Sequence, residues 1–355
     1  MDIRQLSTSI SMSKNAFYVR EANGKPRIIS VSRRTDIPAF YGDWFMNRLS
    51  KGFAGYVNPF GGSKHFVSLS SEKVACLVFW SKNFKPFMDN LKKIKTKGYN
   101  CYFQFTINAL PKIFESNVVE TSTAIETFKE MSCMHSPEHM NWRYDPIIIS
   151  DVTDADFHLK NFKSLAAQLE GYVKRCYFSF PTLYGKVKRN IDTFKRDKGV
   201  SILDPEEDFK IDLANQLDEI AHQHGISMHS CCGDDLVGEK IQKAHCVDGE
   251  RIGNLFGIGD YRFKNKPTRK ECGCSESNDI GTYDTCPNGC IYCYANINKE
   301  KAGSAFEKHD VYSAFLGYSL KQSEPWLKEA KKSSKRGDYL TENNLSADAN
   351  DLTMI

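Results

Sequence analysis

The chain has no long hydrophobic run. No apolar stretch within its 355 residues approaches a membrane span, and the opening MDIRQLSTSISMSKN lacks the apolar core of a secretion signal. These absences set the expectation of a cytoplasmic protein with no membrane partner. Charge of one sign is also scarce. A net charge of +4 is too small to argue for a nucleic-acid binder on electrostatics alone. The lysine-dense stretches at 92–97 and 328–335 are expected to be solvated faces. No repeat of the solenoid kind is visible. With 41% hydrophobic and 26% charged residues, the composition excludes wholesale disorder and allows a buried core.

What the chain has in quantity is cysteine, 12 in all. In a cytoplasmic chain this argues for metal ligation rather than disulfides. Cys76, Cys101, Cys133 and Cys176 are scattered and are expected to be small core residues. The others crowd between 231 and 293. Cys286, Cys290 and Cys293 are spaced CxxxCxxC, with Tyr292 just before the third. Three thiolates are one short of closing a cubane iron–sulfur cluster. Such a [4Fe-4S] cluster keeps one iron open to a substrate or cofactor. Zinc is the alternative, but structural zinc sites close with four ligands in paired CxxC or CxxH units, a poor match to this triplet. Cys231, Cys246, Cys272 and Cys274 supply four more thiolates, enough for a closed second [4Fe-4S] cluster or a structural zinc. Cys231 is preferred to Cys232 because it follows an apolar run most directly, and Gly273 between Cys272 and Cys274 lets the backbone fold tightly.

Six apolar runs recur: 27–32, 74–80, 101–107, 141–149, 174–180 and 226–230. Amphipathic stretches separate them. In 155–170, Phe162, Leu165, Ala166 and Leu169 form a helical stripe ended by Gly171; in 205–224, Leu213, Leu217, Ile220 and Ala221 do the same, with Asp204 and Pro205 as cap and first turn. Alternation of this kind implies βα units and a mostly parallel sheet. The expected fold is α/β, a partial (βα)6 barrel, with an open doubly wound sheet as the alternative. The expected domains are an N-terminal extension (1–26), the barrel (27–230), a cysteine-rich extension (231–300) and a helical, polar, partly disordered tail (301–355). Along 102–108, Tyr102, Gln104, Thr106 and Asn108 alternate with Phe103, Phe105 and Ile107, which gives that strand one polar face suited to lining a ligand. The runs end in polar residues, at the strand ends where such barrels carry their active sites.

The motif CPNGCIYC at 286–293 resembles the signature of radical S-adenosylmethionine (SAM) enzymes, and its continuation through Tyr294 and Ala295 resembles the spore photoproduct lyase branch. More broadly, residues 27–298 resemble a bacterial domain family of unknown function. The likeness is carried by SRRTDIPAFY at Ser32–Tyr41, WRYDP at Trp142–Pro146 and the cysteine-bearing block at Glu271–Asn296. That family's cysteine cluster is itself similar to the radical SAM cluster. The resemblance implies an oxygen-sensitive enzyme in which SAM binds the open iron and a flavodoxin- or ferredoxin-like protein donates the electron. Two departures stand out. The cysteine loop follows the sixth strand rather than the first, which implies a permuted arrangement. No GGE-like run follows the second strand, where the superfamily anchors the SAM amino group.

Around the strand ends, Arg33, Arg34 and Arg143 are candidate partners of the SAM carboxylate or of a substrate phosphate. Asp36 and Asp145 are candidates for a ribose hydroxyl or for pairing those arginines. Gln104 and Tyr292 complete the candidate cofactor contacts, and Tyr144 and Tyr184 are candidate hydrogen-atom relays. Lys82 and Lys186 add positive charge, and Trp80, Tyr102, Trp142 and Tyr184 could stack on a base. The expected substrate is therefore anionic, with nucleotides and nucleic acids among the candidates. Two other functional classes fit the same cysteines: an electron-transfer or redox-sensing iron–sulfur protein, and a zinc-stabilised nucleic-acid-binding protein.

Overall fold

A computed structural model describes residues 17–19, 26–183, 185–258 and 263–333. Tyr184 and the end of the expected polar tail, from 334, lie outside the described residues. In chain order the elements begin with β1 (Phe17–Val19), β2 (Arg27–Val31), α1 (Ile37–Phe40), α2 (Gly42–Lys51), β3 (Phe53–Val57) and β4 (Lys64–Ser68). Next come β5 (Val74–Ser81), α3 (Met88–Thr96), β6 (Cys101–Thr106), α4 (Thr121–His135), β7 (Met140–Tyr144), α5 (Ala155–Leu169) and β8 (Arg175–Phe178). The chain continues through α6 (Gly185–Lys198), α7 (Glu207–Gln223), β9 (Ser227–Ser230), β10 (Gln242–Lys243) and α8 (Gly249–Phe256). It closes with β11 (Asn278–Asp279), α9 (Lys299–Glu307) and α10 (Leu320–Ser333).

The six expected strands are β2, β5, β6, β7, β8 and β9. They lie side by side in that order within an 8-stranded sheet, β10-β9-β8-β7-β6-β5-β2-β11, in which every pairing is parallel. The six expected strands run across the sheet in sequence order without reversal, and β11 then adds beyond β2 at the far edge. The two outer strands, β10 and β11, both come from the cysteine-rich segment, one on each edge. A separate 3-stranded sheet, β1-β4-β3, packs with α10 through Phe53, Phe66, Phe315 and Ala330; the apolar-run pattern did not separate it.

Alternation decides the two faces of the large sheet. Phe103, Phe105 and Ile107 join Trp142, Phe162, Leu165 and Leu217 in the helix-covered core, while Tyr102 and Tyr177 face the other way, toward Cys231, Cys246 and Cys274. Fully burying side chains of this size contributes roughly 1.5–3 kcal/mol each before ordering costs. α5 starts where Asp154 accepts a hydrogen bond from the Phe157 amide, and it buries the expected stripe. α7 starts later than expected, after Glu206. Asp204 does not cap it, and its carboxylate instead takes the Lys210 ammonium at 2.7 Å. Cys76, Cys101 and Cys176 are core residues as expected, whereas Cys133 is exposed on α4. Among the described residues no helix is long and apolar enough to cross a membrane.

Candidate active site at the strand ends

The loop at 286–293 lies against the connection that follows β6. The Ile291 amide donates to the Phe114 carbonyl at 3.0 Å, Asn117 donates to the carbonyls of Asn288 (3.1 Å) and Pro287 (2.7 Å), and Glu115 and Cys290 form an antiparallel bridge. Ile291 fills an apolar pocket with Phe114, Ile148 and Phe194. Gly289 makes the turn possible: its φ is +72°, and a Cβ there would come within 2.3 Å of Ser116 Oγ. Only glycine meets both conditions without strain.

The three thiols fall close enough together to influence one another's ionisation. Burial, then Asp36 and Cys293, pushes Cys286 up to about 12; burial and the Glu115 carboxylate raise Cys290. Backbone amides of Ala295 and Asn296 point at Cys293. Among the described residues no three His, Cys, Asp or Glu side chains are arranged about a single metal ion. The nearby carboxylates are already engaged. Asp36 accepts from Ser81 Oγ (2.6 Å), the Lys82 amide (2.9 Å), Asn288 Nδ2 (3.0 Å) and the Ala39 amide (3.1 Å). Glu115 accepts from Lys82 Nζ at 2.8 Å and from the Tyr292 hydroxyl. Burial alone would lower the Lys82 pKa, but Glu115 and Cys290 outweigh it and the net shift is upward.

From Tyr292 a polar chain crosses the strand ends. Asn108 donates to the Tyr292 hydroxyl (3.4 Å) and to the Asp145 carbonyl (3.0 Å), and accepts from the Asp145 amide (2.8 Å). Asp145 accepts from Arg143 and from Ser179. Arg143 donates in turn to Gln104 Oε1 (3.3 Å) and Cys246 Sγ (3.1 Å), and Gln104 donates to the Cys246 carbonyl (2.8 Å). Two guanidiniums lie over the Trp80 ring, with Arg33 Cζ 5.7 Å and Arg143 Cζ 5.3 Å from its centroid. Among the described residues, buried Trp80 Nε1 and Arg33 Nη1 have no hydrogen-bond partner.

At the far end of this chain five thiols meet. Cys231 Sγ lies 3.3 Å from Cys246 Sγ. Cys246 and Cys274, Cys274 and Cys272, Cys272 and Cys232, and Cys232 and Cys231 each lie close enough to shift one another's ionisation. The four cysteines expected here are brought together, and Cys232, which was set aside, sits in the ring with φ +59°.

Other expected residues are placed differently. Arg33 and Arg34 pair with Asp279 (3.7 and 3.9 Å), not with Asp36. Asp279 also accepts from Ser30, Ser32 and the Arg33 amide, and so ties β11 to the end of β2. Tyr144 does not face the cysteines. Period-two alternation turns it, with Trp142, into the helix-side core, where its hydroxyl meets His158 Nδ1 (2.7 Å) and Asn161 Nδ2 (3.0 Å). Trp142 stacks on Phe162, so neither residue can reach a ligand at the strand ends. Tyr184 lies outside the described residues. Lys186 is within reach of Cys293 and lies over the Tyr283 ring at 5.1 Å. Sequence reasoning missed Glu115 and Asp279. The doubled cysteine at 231–232 was the one available hint of a larger thiol group.

The chain belongs to the family described as Domain of unknown function (DUF1848), whose model matches residues 28–295. No curated protein matches it.

Proposed function

We propose that the protein is an iron–sulfur enzyme of the radical SAM type. Its sheet would curl as a partial barrel, and its reaction centre would lie at the 286–293 loop. The observation that carries this reading is the donor set. Three thiols share one loop beside the strand ends, and the adjacent carboxylates, Asp36 and Glu115, are committed to other partners. Among the described residues no fourth protein ligand stands ready, which suits a cluster with one open iron and disfavours structural zinc. A [4Fe-4S] cluster held by Cys286, Cys290 and Cys293, with SAM at the open iron and an electron from a flavodoxin- or ferredoxin-like donor, would supply one-electron cleavage of the sulfonium.

The chain's own residues then have separate tasks. The Lys82–Glu115–Tyr292 cluster fixes the loop and places an ammonium beside Cys290, offsetting negative charge there. Burial of these groups keeps water from the reaction centre. Arg33, whose Nη1 has no hydrogen-bond partner among the described residues, can bind a carboxylate or phosphate beside Trp80. Of the described aromatics expected to stack on bases, Trp142 and Tyr102 are locked in the core and the Trp80 ring already carries two guanidiniums, which leaves little for stacking along a polymer. This favours a small anionic substrate such as a nucleotide over a nucleic acid. A salt-dependent oligonucleotide titration distinguishes the two, and a strong response to single strands would reverse that preference. The cofactor reading is tested by electron paramagnetic resonance of the reduced, anaerobically reconstituted protein. Added SAM is expected to change the cluster signal, and a spectrum indifferent to SAM would remove the open-iron assignment.

A further inference from the structure

The five-thiol ring is a different kind of site. Its members come from three stretches of chain: Cys231 and Cys232 follow β9, Cys246 follows β10, and Cys272 and Cys274 precede β11. Cys231, Cys246 and Cys274 are buried. Neutral thiols are weak acceptors, yet donors converge on them. The Val247 amide points at Cys274 Sγ (3.4 Å), while the Cys274 amide (3.5 Å) and Thr268 Oγ1 (3.4 Å) point at Cys272 Sγ. Two guanidiniums join them: Arg143 on Cys246 and Arg269 Nη2 on Cys231 at 3.9 Å. The Arg143 side chain is only 8% exposed. Turning a buried cation toward an uncharged thiol gains little, whereas turning it toward metal-bound thiolates offsets their excess negative charge.

We propose that this ring, whose thiols are not already arranged about a single ion, forms a second, closed metal site when the metal binds. Cys231, Cys246, Cys272 and Cys274 are its ligands and Cys232 is a spare thiol. Its metal is thiophilic, a zinc ion or an iron–sulfur cluster, which demand the same soft donors. The site's structural role is to pin the segment that supplies both edge strands of the sheet. Gly273 fits this role: a Cβ there would come within 2.9 Å of the His245 ring and force it to shift, so glycine lets the Cys-Gly-Cys turn pack closely. Cys232 occupies backbone space that side chains rarely adopt, and four thiolates already complete either kind of centre. The inference does not depend on how the 286–293 loop functions.

The test uses the full chain with Cys286→Ser, Cys290→Ser and Cys293→Ser combined, purified anaerobically, with circular dichroism to confirm folding. This protein is expected to keep one metal centre, either about one zinc or about four irons with matching sulfide. Adding Cys246→Ser and Cys274→Ser should lower that metal at least tenfold, and adding Cys232→Ser should leave it unchanged. A metal-free triple variant, or metal lost with Cys232, would overturn the proposal. If the Cys246/Cys274 variant does not fold, iodoacetamide footprinting of the wild-type chain replaces it. Cys272 should alkylate far more slowly than exposed Cys133 until the metal is stripped. Equal rates before stripping would count against the site.

Discussion

The two cysteine groups, one in a loop at the strand ends and one on a face of the same sheet, are built in opposite ways. One loop supplies Cys286, Cys290 and Cys293, and the groups packed around them are a buried ammonium and carboxylates already bonded elsewhere. The other group gathers five thiols from three separate stretches, with amides, a hydroxyl and two arginines directed at sulfur. A site with too few ligands, held by a well-braced loop, is suited to admit a ligand. A site with ligands to spare, drawn from both edges of a sheet, is suited to hold the fold. The polar chain from Glu115 through Tyr292, Asn108, Asp145 and Arg143 to Cys246 joins them, so each can be perturbed separately and the response read at the other.

The largest separation should come from Cys290→Ala. It is expected to abolish the metal of the three-thiol site while the five-thiol site keeps its own, as counted by iron, zinc and sulfide analysis. Loss at both sites would mean that they are one unit. Next is Glu115→Ala, which strands the buried Lys82 ammonium. Breaking a buried pair from one side costs about 3–5 kcal/mol, so chemical denaturation should show a marked loss of stability, and Lys82→Met in the same background should restore part of it. The glycines sharpen the contrast. Gly289→Ala, strained by about 1–2 kcal/mol in the left-handed region, should deplete the first site alone. Gly273→Ala, opposed by the His245 ring at 2.9 Å, should deplete the second alone.

Acid should act on the scaffold before either site. Burial holds His135, His229 and His309 down to about 4, against an ordinary 6.5. Between those values the unfolded chain binds more protons than the folded one, so stability falls as pH drops from about 6.5 toward 4. A Tm series across that window should decline by a few degrees and flatten below it. The smallest effect is expected at Lys92, whose pair with Asp89 is exposed on α3; Lys92→Ala should change stability by less than about 0.5 kcal/mol.

The strands were legible because each is an apolar run long enough to be buried, and the faces of β6 were legible because alternation is strict. The same alternation applied to β7 would have turned Tyr144 and Trp142 away from the site, since Arg143 and Asp145 occupy the other face. β10 and β11 were not legible. Two residues each, they exist through long-range pairing, and β11 is held by the carboxylate of Asp279 on Ser30, Ser32 and Arg33. Glu115 carried no local signal either. Its role depends on Lys82 and Tyr292, which are far from it in sequence, and spacing cannot show such a meeting.

The central claim, that the three-thiol loop supports an open cluster, is tested most directly by measuring deoxyadenosine. Protein reconstituted anaerobically is mixed with SAM and dithionite, and the nucleoside is counted per chain. The account predicts deoxyadenosine from the wild-type chain and none from Cys290→Ala. A wild-type chain carrying its full iron and sulfide that leaves SAM intact would contradict it.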